Sequence, residues 1–217
     1  MTDLFISQPD FLVTFVVFVL SITLHEAAHA WATTRFGDTD AKESGRLTLN
    51  PIAHFEATGI ITFLLLGFGW GKPVPTSGNL SKLDTVKVAL IGPVTHLVLA
   101  FFFGILTAVN ILLINRGIYT FTAYSWIFSL GFSLNITLMC VNLIPLPPLD
   151  ASHILEMLLP KEKAQTFFRF APYALLALLL FQVVTGNLFL LTPFFTFVYT
   201  VGNSLLHGIL ALFSIGF

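Results

Sequence analysis

The sequence predicts an all-α polytopic membrane protein with about five transmembrane helices and a re-entrant or membrane-surface element after the first. Three observations predict it. Only 10% of the 217 residues are charged, against about 25% in an ordinary soluble domain. Hydrophobic residues make up 56% of the chain, 24 of them Phe. The 10 basic and 11 acidic residues are clustered, which leaves long uncharged stretches between them. A globule of this size would have too little polar surface to stay dissolved. The composition therefore excludes a soluble enzyme and a disordered chain. A net charge of −1 also excludes a nucleic-acid binder, which needs a basic excess to hold phosphates. The single Cys rules out an internal disulfide framework and a Cys-based zinc cluster.

Each element follows from the spacing of the charges. A bilayer core of about 30 Å needs roughly 20 apolar residues per helix. The first span runs from about Phe11 to Arg35, with Glu26 inside it. The gap between Glu56 and Lys72 is too short to cross and contains Gly59, Gly67, Gly69 and Gly71, so it reads as the re-entrant or surface element. The gaps after Lys87 and after Arg116 each fit one span. The uncharged stretch from Phe170 to Phe217 fits two, with a turn near Thr185-Gly186-Asn187 or at Thr192-Pro193. Asp3 and Asp10 precede the first apolar run and no basic segment does, which is unlike a cleaved signal peptide. The polar loops at about 36–87 and 145–169 are too short for an appended soluble domain. The chain thus reads as one integral-membrane domain over 1–217, with a core at about 11–159 and C-terminal helices at about 165–217.

Basic residues set the orientation. Arg35, Lys42, Arg46, Lys72, Lys82 and Lys87 follow the first span, and Lys161, Lys163 and Arg169 follow the third. The opposite side has only Arg116. The N-terminus is expected outside, and the first and third spans are expected to end on the cytoplasmic side.

The first span contains His25-Glu26-Ala27-Ala28-His29. Histidines at i and i+4 lie on one helical face, one turn apart. They can grip one tetrahedral zinc, and the Glu beside them can work on a water there, whose pKa zinc lowers towards about 7. From the chain's own His and Glu frequencies, a chance match has a probability of roughly 0.4%. Ionisable groups at membrane depth are costly and are rarely kept without a partner or a task. The competing reading is a polar cluster that packs the bundle through hydrogen bonds.

Two histidines need a third protein ligand at the same depth. Asp150 ends the segment Asn142-Leu-Ile-Pro-Leu-Pro-Pro-Leu-Asp150, just after the third span. The orientation puts that end on the same side as His25 and His29. Pro145, Pro147 and Pro148 break the helix and can aim Asp150 back at the metal. Taken alone, Asp150 reads better as an N-cap for a helix at about Ala151–Leu159; with the two histidines beside it, the ligand reading is preferred.

Through these residues the chain resembles the site-2 protease family of intramembrane zinc metalloproteases, in particular its small members without PDZ or CBS domains. The resemblance covers about Leu20 to Leu159. It rests on Leu24-His25-Glu26-Ala27-Ala28-His29-Ala30, Gly45-Arg46-Leu47-Thr48-Leu49-Asn50-Pro51, Gly69-Trp70-Gly71-Lys72-Pro73-Val74-Pro75, Gly92-Pro93, and Asn142 to Asp150. It implies that His25, His29 and Asp150 hold zinc and that Glu26 is the catalytic base. It implies that Asn142 holds substrate backbone and that Gly45–Pro75 is a membrane-associated, β-like element that clamps an unwound substrate strand. It further implies transmembrane proteins as substrates and a prokaryotic cell membrane as the location, with the active site towards the cytoplasm. Two departures stand out. The family usually has Asp-Gly where this chain has Asp150-Ala151, and Gly-Pro-x-x-Asn where it has Gly92-Pro93-Val94-Thr95-His96. At that position His96 is expected as an oxyanion partner, an extra metal ligand or a packing residue.

The remaining histidines are expected in lesser roles: His54 solvated in a loop, His153 beside the site or at the surface, His207 bonded within the bundle. Cys140 is expected as a small buried hydrophobe. Two other functions fit the same cluster. One is a metal transporter with the histidines as a transit site, and the other is an inactive adaptor that binds membrane helices.

Overall fold

The computed structural model describes residues 8–67, 69–118, 123–186 and 191–213. Among them the regular structure is helical, with no strand. Eight α-helices follow one another: α1 (Gln8–Arg35), α2 (Asp40–Glu43), α3 (Ala57–Leu66), α4 (Lys82–Asn115), α5 (Ala123–Asn142), α6 (Ser152–Leu158), α7 (Lys161–Thr185) and α8 (Leu191–Leu212). A 3-10 turn, Pro51–His54, lies between α2 and α3.

Among the described residues, four helices are long and apolar enough to cross a membrane: α1, α4, α7 and α8. The expected third span falls on α5, which has 20 residues and whose apolar stretch among the described side chains is Trp126–Asn142. The expected turn between the last two spans at Thr185-Gly186 coincides with the end of α7, and its Asn187 lies outside the described residues.

The first helix ends where Gly37 adopts φ 97°, a conformation that a side chain resists. The chain then makes short polar elements and enters α3. With 10 residues, α3 is only about 15 Å long, too short to cross. Gly67 closes it in the left-handed conformation, donating to Phe63 O. The chain then doubles back, so that Gly69 and Trp70 lie against the backbone of Gly59 at the start of α3. A Cβ at Gly59 or Gly69 would collide with the other strand of this hairpin-like turn. Phe63 anchors α3 to α1 by stacking on Phe18, ring centroids 4.2 Å apart. From Gly69 to Leu80 the chain is irregular and forms no ladder, so the β-like segment is present as a strap, not a strand.

α4 begins with a cap in which Asp84 N donates to Ser81 Oγ at 3.1 Å. It packs against α5 and α1. One apolar cluster joins Phe18 and Ile22 of α1, Phe63 of α3, Trp70, Leu138 and Val141 of α5, and Leu149. A second joins Ala100 and Ala108 of α4, Phe132 and Ile136 of α5, and Val198 and Leu210 of α8. Cys140 belongs to this second cluster as a buried apolar residue. The first cluster holds in place the three pieces that carry the site: the middle of α1, the end of α5, and the loop ending at Asp150.

Candidate metal centre

Helical spacing on α1 places His25 and His29 on one face, with Nε2 atoms 3.2 Å apart. Both are buried, as is Glu26. After α5, Ala151 N donates to Asn142 O at 3.0 Å, which closes the proline-rich loop 142–151 on itself. Leu149 plugs into the apolar cluster, and Asp150 is thereby turned towards α1. Its Oδ2 lies 3.5 Å from His25 Nε2, and its Oδ1 lies 3.2 Å from His29 Nε2. Burial alone would raise the Asp150 carboxyl. The neighbouring His29 and His25 outweigh it and hold the group well below the usual carboxylate range.

The alternative role as a helix cap does not describe the carboxylate. The N-cap position of α6 is Ala151, with no side-chain cap. Ala151 itself has φ −65° and ψ −11°, right-handed helical geometry that Ala adopts freely. The departure from Asp-Gly therefore leaves the loop undistorted.

Ligand atoms of His25, His29 and Asp150 all lie within 4.8 Å of one another. Two ligands about 2.0–2.1 Å from a tetrahedral zinc stand roughly 3.3 Å apart, a spacing that the His25–His29 pair matches, while Asp150 meets each histidine with a different oxygen. Two further observations test the fit. Asp150 Oδ2 is buried without a hydrogen-bond partner. Gly92 of α4 faces the cluster, and a Cβ there would run into Asp150 Oδ2, His25 Cε1 and His29 Nε2. The residues thus fit a small cation, and α4 contributes the one residue type that leaves room for it.

Glu26 sits beside this cluster, and the strap packs directly upon it: a Cβ at Gly71 would collide with the Glu26 carboxylate. Sequence reasoning missed Arg46. It is buried, with Nη2 3.7 Å from Glu26 Oε2. It also donates to the carbonyls of Lys72, through Nη2, and of Pro73, through Nη1 at 3.2 Å. Its position inside Gly45-Arg46-Leu47 was visible, but no pattern linked it to Glu26.

His54 corrects an expectation. It is fully buried, not solvated, because the 3-10 turn folds it under the strap. Its Nε2 donates to Thr48 O at 2.8 Å, and its own carbonyl accepts from Lys72 N at 2.8 Å. Further along, Asp38 accepts from Ser77 N and Ser77 Oγ at 2.8 and 3.0 Å. The strap is therefore tied down at both ends. His153 is exposed and lies 3.6 Å from Glu156. His96 is fully buried behind His25, ring centroids 4.7 Å apart, and lies outside the three-ligand group.

A cavity of about 450 Å³ opens onto the cluster. His25, His29, Asp150 and Glu26 form its floor. Gly71, Val74 and Thr76 of the strap line one wall, and Asn142 another. Asn142 is buried, with Nδ2 donating to Leu138 O at 3.0 Å.

YwhC of Bacillus subtilis is 37% identical over 200 residues, covering 88% of this chain and 90% of its own length. The chain belongs to the site-2 protease family of zinc metalloproteases. Rip2 of Mycobacterium tuberculosis is 31% identical over 188 residues, 82% of this chain and 69% of that protein. Rip2 of Mycolicibacterium smegmatis is 30% identical over 156 residues, 67% and 57% respectively. Each of these relatives is provisionally named a zinc metalloprotease. No family model and no solved structure matches the chain. Membership makes this site-2 protease homologue a metalloprotease by kinship, and its four long apolar helices mark it as a membrane protein.

Proposed function

We propose that this family member is an intramembrane endopeptidase that uses zinc and cleaves transmembrane segments of other proteins. The observation that carries the reading is the meeting of three ligand atoms within 4.8 Å of one another beside a buried Glu, at the floor of an open cavity. His25, His29 and Asp150 hold the metal. When bound, zinc supplies Lewis acidity and lowers the pKa of water towards about 7. Glu26 takes the proton of the attacking water and passes it to the leaving amine. Arg46 keeps the Glu26 carboxylate turned towards the strap side of the floor.

A helix hides its carbonyls in i→i−4 hydrogen bonds, so the substrate must unwind before attack. The strap and Asn142 receive the unwound strand. Val74 and Thr76 keep backbone N–H groups for it, whereas Pro73 and Pro75 have none. In this reading α5 also crosses, as the third of five spans, and α3 is re-entrant. The cavity mouth, with Lys82, His153 and Glu156, faces the cytoplasm of a prokaryotic cell, as the basic loops suggest.

The test is Glu26→Gln with zinc content measured, alongside co-expressed single-span membrane proteins. The expected outcome is retained zinc and abolished cleavage. Full cleavage by the variant sinks the mechanism. Zinc uptake into vesicles without cleavage supports a transporter, and tight helix binding without cleavage supports an adaptor.

A further inference from the structure

Behind the cluster runs a buried polar chain that the chemistry above does not use. His96 Nδ1 of α4 lies 3.0 Å from Asn135 Oδ1 of α5. Asn135 is itself fully buried, and its Nδ2 donates to Gly131 O at 2.9 Å and to Ser21 Oγ of α1 at 3.1 Å. A carbonyl oxygen can only accept, so Gly131 fixes which end of the Asn135 amide is the NH₂ group. Asn135 Oδ1 is then an acceptor, and the shared proton belongs to His96 Nδ1. In a neutral imidazole this leaves Nε2 as a bare lone pair.

That Nε2 is buried without a partner, and so is His25 Nδ1. The two rings are neighbours, centroids 4.7 Å apart and planes inclined by 31°. His25 turns Nε2 to the ligand cluster, so with a metal bound its one proton sits on Nδ1. One orphan atom is a donor, the other an acceptor, on adjacent rings.

We propose that His96 is the positioning residue of His25: with a metal on His25 Nε2, a small shift of the two adjacent rings brings the His25 Nδ1 hydrogen onto the His96 Nε2 lone pair, and so fixes the ring with Nε2 towards the metal. The proposal rests on the zinc-site reading above. His96 is not a fourth ligand, since it stands outside the group of ligand atoms. Nor is it an oxyanion donor, because that role needs a proton on Nε2 and Asn135 draws it to Nδ1. Ligating histidines commonly pass their second N–H to such an acceptor, and losing it lowers metal affinity about 10–100-fold.

The experiment uses the full chain in detergent. Zinc affinity is read by chelator competition, and the absorption spectrum is recorded with cobalt in place of zinc. His96→Phe is expected to weaken zinc by about 10–100-fold and to alter the cobalt spectrum. His96→Gln, which restores an acceptor, recovers most of both. Asn135→Leu releases the tautomer and weakens zinc without touching a ligand. Thermal unfolding of the metal-free variants checks that they fold, and if His96→Phe does not, Asn135→Leu decides by the same criterion. A folded His96→Phe variant with wild-type affinity and spectrum overturns the proposal, even if its cleavage is slower. A wild-type chain that binds no zinc overturns the site reading and this inference with it, whereas normal wild-type binding with indifferent variants overturns this inference alone.

Discussion

Gly92 of α4 lies so close to Asp150 that a side-chain carbon on it would meet the carboxylate and both histidines at once. The position sits one turn before His96 on the same helix. Gly92→Ala is therefore expected to abolish zinc binding by filling the place of the ion while leaving the helices assembled. Zinc content and thermal unfolding, measured together, check it. Wild-type zinc stoichiometry in a folded Gly92→Ala protein would place the metal elsewhere.

Arg46 links Glu26 to the strap, and no other described residue bonds to the carbonyls of Lys72 and Pro73. Arg46→Met leaves two carbonyls and a carboxylate without their cation. The expected loss of stability is about 1–3 kcal/mol, with faster amide exchange across 72–77 and unchanged zinc content, because Arg46 touches no ligand. Arg46→Lys recovers only part, since an ammonium cannot reproduce the planar fork that spans two carbonyls. Undisturbed exchange in Arg46→Met would show that Asp38 and His54 hold the strap unaided.

What the sequence made legible follows the reach of its patterns. His25, Glu26 and His29 fall within five consecutive residues of one helix, so periodicity alone puts them together. Asp150 lies far along the chain, yet orientation and the prolines before it narrowed the choice to that residue. Arg46, Gly71 and the Ser21–Asn135–His96 chain were not legible. Their partners are 20 to 114 residues away, and no local period reports such pairings. His54 was misread for a related reason: a polar loop is normally solvated, but this one folds under a strap whose anchors are themselves distant.

Ala151 tests whether Gly at this position is a geometric need or a family habit. In right-handed geometry a glycine gains nothing in the folded state and adds freedom to the unfolded chain. Ala151→Gly is expected to lower stability by about 0.4–1 kcal/mol and to leave zinc affinity unchanged. Tighter zinc binding in the variant would mean that Ala151 strains the Asp150 loop.

His54 gives the strap a dependence on pH. Burial holds its imidazole below the usual value, against the pull of its bond to Thr48 O. The folded chain therefore resists a proton that the unfolded chain accepts near pH 6.5. Where the unfolded state binds more protons, stability rises with pH. The His54 contribution is thus complete above about pH 6.5 and is lost as pH falls from there towards the folded value. His54→Gln keeps a donor for Thr48 and has no proton to gain. Melting of the metal-free proteins between pH 7 and pH 5 should fall less steeply for His54→Gln than for wild type, and the difference should appear in amide exchange at Lys72, which bonds to the His54 carbonyl. Parallel melting curves over that range would mean that the imidazole takes up its proton equally in the folded and unfolded states.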